Sequence, residues 1–191
     1  MFSAIEVLIK ITSRSLSRVM SCLRVIYYNL TIFMYFSRFP LSTTIYGRIL
    51  HLELPCRVAM GKQCRIGDGV YFATSSTSEI NVGNEVNINL GCVIVSIEKI
   101  VIGDRTSIAE YVSIRDQEHN FSVGAGTRGQ GFSSAPVIIG KNVWIGRGSY
   151  IGPGTIIGDN SIVAANSVVS GIFPPGVLLA GAPAKIKREL A

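Results

Sequence analysis

The residues best suited to chemistry stand in one short run, Arg115-Asp116-Gln117-Glu118-His119-Asn120. Imidazole is the side chain whose proton exchanges near neutral pH. Asp116 and Glu118 flank it closely enough to raise its basicity and fix its tautomer, although the same two carboxylates also suit an ordinary charged surface, and His119 itself suits a solvated loop. The chain has one other histidine, His51, so a metal site made of three histidines has no source in one chain. Cys22, Cys56, Cys64 and Cys92 lie far apart with no metal-ligand spacing, which points to free thiols in a reducing compartment and to no metal requirement. Cys64 and Cys92 have the spacing of shaft or corner packing. A second chemical feature is the basic end Lys185-Ile186-Lys187-Arg188, suited to an anionic group or simply to solvent.

These groups are positioned by a repeat. From Ile139 an aliphatic residue recurs every six positions, at Ile139, Ile145, Ile151, Ile157, Val163 and Val169. The next position is Gly or Ala (Gly140, Gly146, Gly152, Gly158, Ala164), and the fifth is small (Val143, Ser149, Thr155, Ser161, Ser167). A period of six belongs to neither a helix nor an ordinary strand. Three hexads build one triangular coil, with the aliphatic residue pointing into the shaft, so the chain is expected to be an all-β solenoid, a parallel β-helix. The same beat runs upstream through Ile102, Ile108 and Ile114, through Val82, Ile88 and Ile94, and more faintly through Ile66 and Phe72. The solenoid therefore spans 58–179. Phase slips from Ile94 to Ile102 and from Ile114 to Ile139 mark interruptions, which in a solenoid are loops. The larger one, 117–136, is the expected active-site loop, with His119 at its root.

The remaining chain divides into residues 1–57, an apolar and basic α-helical extension, and 180–191, a short C-terminal tail. Residues 1–57 carry seven Lys or Arg against Glu6 and Glu53, whereas the rest has 11 cations against 10 acids. That balance, without any nucleic-acid motif, excludes a nucleic-acid-binding surface on the solenoid. The uncharged run Val25–Ser37 is 13 residues long, short of the roughly 20 that a membrane span needs, and the pattern of a cleaved leader is missing. Two readings of residues 1–50 stand together. One is a cap on the open solenoid end, which exposes unpaired backbone groups. The other is an interfacial arm, with Lys10, Arg14, Arg18 and Arg24 meeting anionic lipid.

The run APVIIGKNVWIGRGSYIGPGTIIGDNSIVAANSVVS, followed by Ala180-Gly181-Ala182-Pro183-Ala184-Lys185, resembles the hexapeptide-repeat O-acetyltransferases, left-handed β-helix enzymes that use acetyl-CoA. The resemblance covers about 120 residues, and within it IRDQEHN is similar to the segment holding the catalytic histidine of the sugar and polysaccharide acetyltransferases. It implies a left-handed coil, a homotrimer with active sites between subunits, and His119 as the general base. It places Asn89 and Arg115 beside the acceptor sugar, and gives Asp116 the role of an orienter behind the site or of an acceptor contact. For the coenzyme, small corner residues Ala164, Ala165 and Gly181 suit the extended pantetheine arm, Lys185 and Arg188 suit its phosphates, and Trp144 is expected to face outward along the subunit cleft or the coenzyme groove. The long N-terminal extension departs from the compact sugar acetyltransferases and favours a lipid-linked glycan acceptor at the cytoplasmic face of the membrane. A serine acetyltransferase-like enzyme and a non-catalytic scaffold in a glycan-assembly complex are the competing expectations.

Overall fold

The structure, a computed structural model, describes residues 4–32, 39–51 and 56–190, with side chains described at 15–30, 39–50 and 56–190. It is a parallel β-helix wound left-handed, preceded by a single helix, α1 (Ala4–Ile32). Three sheets form its faces. On the first, parallel rungs run from Thr44–Ile45 to Val177–Gly181; on the second, from Ile49–His51 to Val168–Val169; on the third, from Val58–Met60 to Ile172–Phe173.

The hexad dictates this shape through period-two alternation in short strands. On the first face Ile45, Ile66, Ile88, Ile108, Ile145, Val163 and Leu179 stack in register, and all are buried. Their neighbours Thr44, Arg65, Asn87, Ser107, Trp144, Ile162 and Leu178 form the adjacent register row. The small fifth residues Val143, Ser149, Thr155, Ser161 and Ser167 are all buried at the corners. There the hydroxyls donate to corner carbonyls: Ser149 and Ser167 to Ala164 O at 3.0 and 2.7 Å, Thr155 to Gly152 O at 2.6 Å. Position two is small because coils nearly touch: a Cβ on Gly146 would lie 2.5 Å from the backbone nitrogen of Ala165.

Three expectations change. The coil begins at Thr44, not at 58, since Thr44–Ile45 and Ile49–His51 already pair in parallel with the next turn. The beat is hidden there because residue 51, the register partner of Phe72, is a histidine. Residues 180–191 are not a loose tail, for Ala184–Glu189 folds back antiparallel on Val177–Gly181, reversing at Gly181, whose φ of 110° suits glycine. Finally, the slip between Ile94 and Ile102 produces no excursion. Strands Val93–Ser96 and Lys99–Ile102 meet through a tight turn, and the extra residues widen the corner between the second and third faces. The slip after Ile114 falls at that same corner and does leave the solenoid.

Helix α1 caps the first coil with a side that buries Val25 and Tyr28 in the core and also presents Ser21, Arg24 and Asn29 to the coil. Ile45 N–H donates to Ser21 Oγ (2.8 Å), Arg24 Nη1 donates to Ile45 O (3.0 Å), and Ile49 N–H donates to the Tyr28 hydroxyl (2.7 Å). Asn29 both donates to Phe39 O (2.7 Å) and accepts from its N–H (2.9 Å). These bonds satisfy the edge groups of the solenoid end. Arg24 is thus committed to the coil and does not point to lipid. The opposite side of α1 presents Leu16, Val19, Met20, Leu23, Ile26, Tyr27 and Leu30, all exposed. The side chains of Lys10 and Arg14 lie outside the described residues.

Ile145 is fully buried between Ile108 and Val163. Ile145→Ala is expected to cost about 2–5 kcal/mol, read as a lower urea midpoint with unchanged slope. A cost under about 0.5 kcal/mol would contradict the packed shaft.

Candidate active site

The widened corner carries the chemistry. After strand Ser113–Arg115 the chain leaves the coil, forms a hairpin in which Gln117–His119 pairs antiparallel with Phe132–Ser134, and rejoins at Val137–Ile139. The hairpin root is fixed by Asp116. Its carboxylate is fully buried and accepts from Ser96 Oγ (2.6 Å) and from the N–H groups of Ile97, Glu98 and Lys99 (2.8, 2.9 and 2.7 Å). Its carbonyl accepts from Ala135 N–H at 3.0 Å, closing the excursion. Asp116 is therefore turned inward, with no oxygen left to face an acceptor, which corrects the expected acceptor contact and leaves the orienting role. Four charge-assisted bonds occupy both oxygens.

His119 stands exposed beyond this root, its ring 4.2 Å from the Phe132 ring at an interplanar angle of 41°. Among the described residues no hydrogen bond reaches its imidazole. Glu118 does not orient it either, because the Tyr150 hydroxyl donates to Glu118 Oε1 at 3.1 Å. That contact ties the hairpin to the rigid second face, and burial together with the Glu118 carboxylate pushes the Tyr150 phenol up to about 12.

Two hollows flank the hairpin base. One, of about 280 Å³, is lined by Arg115, Gln117, Glu118, His119, Phe132 and Tyr150. The other, about 590 Å³, runs along the second face beside Tyr71, Val93, Val95 and Ser96 and shares Arg115, Gln117 and Phe132. Arg115 spans both. Its Nε donates to Ser113 Oγ at 3.3 Å, and no carboxylate lies within ion-pair distance among the described residues, so the guanidinium is free for an anionic or hydroxyl-rich ligand. The Gln117 Oε1 is buried without a partner, a second polar group available to a ligand.

Of the other expected residues, Asn89 follows the first-face strand Asn87–Ile88, donates to Ile108 O at 3.0 Å, and lines a separate hollow of about 340 Å³. It sits where the first face turns into the second, whereas His119 lies where the second turns into the third. Trp144, Ala164, Ala165, Gly181, Lys185 and Arg188 come together at the C-terminal end of the first face. Trp144, Ile162, Leu178 and Arg188 form one cross-strand row, and Ala180 pairs with Lys185 and Gly181 with Ala184. Trp144 is exposed, as expected of an outward residue. The chain thus keeps His119 at one corner and this cationic end on another face. Phe132 and Tyr150 escape sequence reading. An aromatic within the small and polar stretch Ser122–Ser134 is a weak signal for Phe132, and nothing local marks Tyr150.

The matching family model is Bacterial transferase hexapeptide (six repeats), over residues 136–171. Among solved structures, a maltose O-acetyltransferase from Clostridium difficile 630 is 30% identical, with 66% of this chain and 69% of that chain covered and a TM-score of 0.55. The hexapeptide-repeat containing acetyltransferase VCA0836 from Vibrio cholerae is also 30% identical, covering 63% and 71%, with a TM-score of 0.53. AntD, an N-acyltransferase from Bacillus cereus solved with dTDP and 3-hydroxybutyryl-CoA, shares the fold at 18% identity, covering 86% and 88%, with a TM-score of 0.72. Comparison with the curated proteins gives no match.

Unfolded, Tyr150 ionises near pH 10; in the fold burial first and Glu118 second push it up to about 12, so the stability this carries is fully present below pH 10 and is lost as pH rises towards 12. Tyr150→Phe should flatten that part of the stability profile, and the ultraviolet titration of wild type minus variant should show a phenol still protonated at pH 10.5. A difference titration centred at or below pH 10 would refute the contact.

Proposed function

We propose that this chain, which belongs to the hexapeptide-repeat transferases and is an acyltransferase, moves an acetyl group from acetyl-CoA to a hydroxyl of a sugar, with His119 as the general base. The observation that carries this reading is the exposed, unpartnered imidazole, held on a hairpin whose root is clamped into the solenoid, beside two hollows that share Arg115. In the proposed step His119 takes the proton of the acceptor hydroxyl as its oxygen attacks the thioester carbonyl. The new C–O bond forms, the C–S bond breaks, and the proton passes to the leaving thiolate. A positioned base of this kind accelerates a reaction about 10²–10⁴-fold.

The residues present fit the coenzyme. Lys185 and Arg188 are exposed and have no ion pair among the described residues, as phosphate binding requires. Ala164 and Ala165 offer a corner without bulky side chains for an extended amide arm. When bound there, the coenzyme supplies the activated thioester. Arg115 and Gln117 would hold the acceptor.

The separation of the cationic end from His119 supports a homotrimer in which a neighbour completes each site, bringing Asn89 or the coenzyme corner of one subunit to the hairpin of the next. The exposed apolar side chains Phe121 and Val123 on the excursion suit such a contact. The outward apolar face of α1 supports peripheral membrane contact at the inner face of the cytoplasmic membrane, and so a polysaccharide precursor carried on lipid as acceptor. Among the described residues no helix is long and apolar enough to cross a membrane.

Purified His119→Ala should lose about 10²–10⁴-fold in acceptor-dependent thiol release from acetyl-CoA while binding the coenzyme as wild type does. Turnover within about threefold of wild type would overturn the assignment of His119.

A further inference from the structure

Where α1 meets the first coil there is a cleft of about 470 Å³ that the proposed acetyl transfer does not use. Its lining includes Ser17, Arg18, Ser42, Thr43, Tyr46 and Arg65, and no carboxylate. Arg18 and Arg65 are exposed and, among the described residues, neither has an ion pair or a side-chain hydrogen bond. Thr43 is only 3% exposed, and among the described residues its hydroxyl has no hydrogen-bond partner. A buried hydroxyl without a partner is unfavourable, so its presence on the wall of a polar cleft points to a ligand that accepts its proton. Tyr46 and Arg65 continue the cleft into the neighbouring hollow of about 340 Å³ that also holds Asn87 and Asn89.

We infer that this cleft binds a phosphate group, with Arg18 and Arg65 as the charged clamp and Thr43 as a neutral donor. Two guanidiniums matched to one anion, plus a hydroxyl, is the donor set that a tetrahedral oxyanion requires. A carboxylate lining would repel it, and among the described residues there is none. The position supplies a source. A helix lying in the membrane interface buries its apolar side about 5–10 Å into the headgroup boundary, which leaves the underside of α1, and hence Arg18 and this cleft, at phosphate level. The phosphate belongs either to a lipid headgroup or to a soluble or glycan-bearing diphosphate. The site stands apart from His119 and does not depend on the transfer reaction.

The test uses the full chain with two probes: inorganic pyrophosphate, followed by titration calorimetry, and phosphatidylglycerol vesicles, followed by co-sedimentation. Arg18→Gln and Arg65→Gln alter exposed side chains that hold nothing else in place, and Thr43→Val keeps shape while removing the hydroxyl. Arg48→Gln serves as control, removing the same charge from the same coil outside the cleft. Wild type should bind at least one probe, with binding weakened about tenfold in either clamp variant and about threefold or more in Thr43→Val, and unchanged in Arg48→Gln. Cys22, exposed and lining the cleft, should react more slowly with a maleimide when the probe is bound. Pyrophosphate binding with this pattern identifies a soluble or glycan diphosphate, and vesicle binding alone with the same pattern identifies a lipid headgroup. The inference is overturned if neither probe binds, if the clamp variants bind as wild type does, or if Arg48→Gln loses as much as they do.

Discussion

One buried carboxylate holds the site to the shaft. Asp116 lies fully buried at the corner where the chain departs from the solenoid, and its two oxygens take four hydrogen bonds, three of them from consecutive backbone N–H groups of the coil below. A desolvated carboxylate is tolerable only when so paired, and the pairing works in both directions. It satisfies three donors in the tight turn at 97–99 that the extra residues of the widened corner create, and it fixes the first residue of the hairpin. His119 comes three residues later. Everything proposed for the imidazole depends on that anchor, because a base on a mobile loop would lack the orientation that proton transfer demands. The Tyr150–Glu118 bond provides a second tether farther out, and Phe132 lies against the imidazole ring itself.

A surface helix usually buries its apolar stripe and wets its polar one; the N-terminal helix buries Val25 and Tyr28 in the core but makes most of its remaining contact with the coil through polar groups. Here Ser21, Arg24, Tyr28 and Asn29 bind the coil, and the aliphatic row from Leu16 to Leu30 faces away. The reason lies in what α1 covers. The first coil offers unpaired strand N–H and C=O groups, which need donors and acceptors rather than methyl groups. The apolar row is then left to another phase or partner, and a lipid interface is the one proposed above.

The sequence made the shaft legible because hexad spacing is a geometric rule with few alternatives: each aliphatic anchor from Ile139 to Val169 is buried, and so is each small fifth residue. The first coil stayed hidden because His51 occupies an anchor's register position. The site was only partly legible. Its location at the phase break, and Arg115 beside His119, followed from the pattern. Asp116 did not, because a four-fold hydrogen-bonded buried carboxylate and a solvated one look identical in a sequence; only the donors, 17 to 20 residues away, distinguish them. Tyr150, 32 residues from Glu118, reaches the site purely through coil stacking. Which side of α1 would pack was equally invisible, since a stripe reveals that two sides differ and not which one meets the protein.

The proposed transfer of an acyl group from coenzyme A to a glycan hydroxyl is read in the chemistry of the bond formed. Purified enzyme, acetyl-CoA labelled in the acetyl group, and a lipid-linked glycan fraction should yield labelled glycan from which mild alkali releases the label, as an ester requires. Label that survives mild alkali would mean an amide and an amino acceptor. No transfer to glycan, with coenzyme bound, would contradict the claim outright.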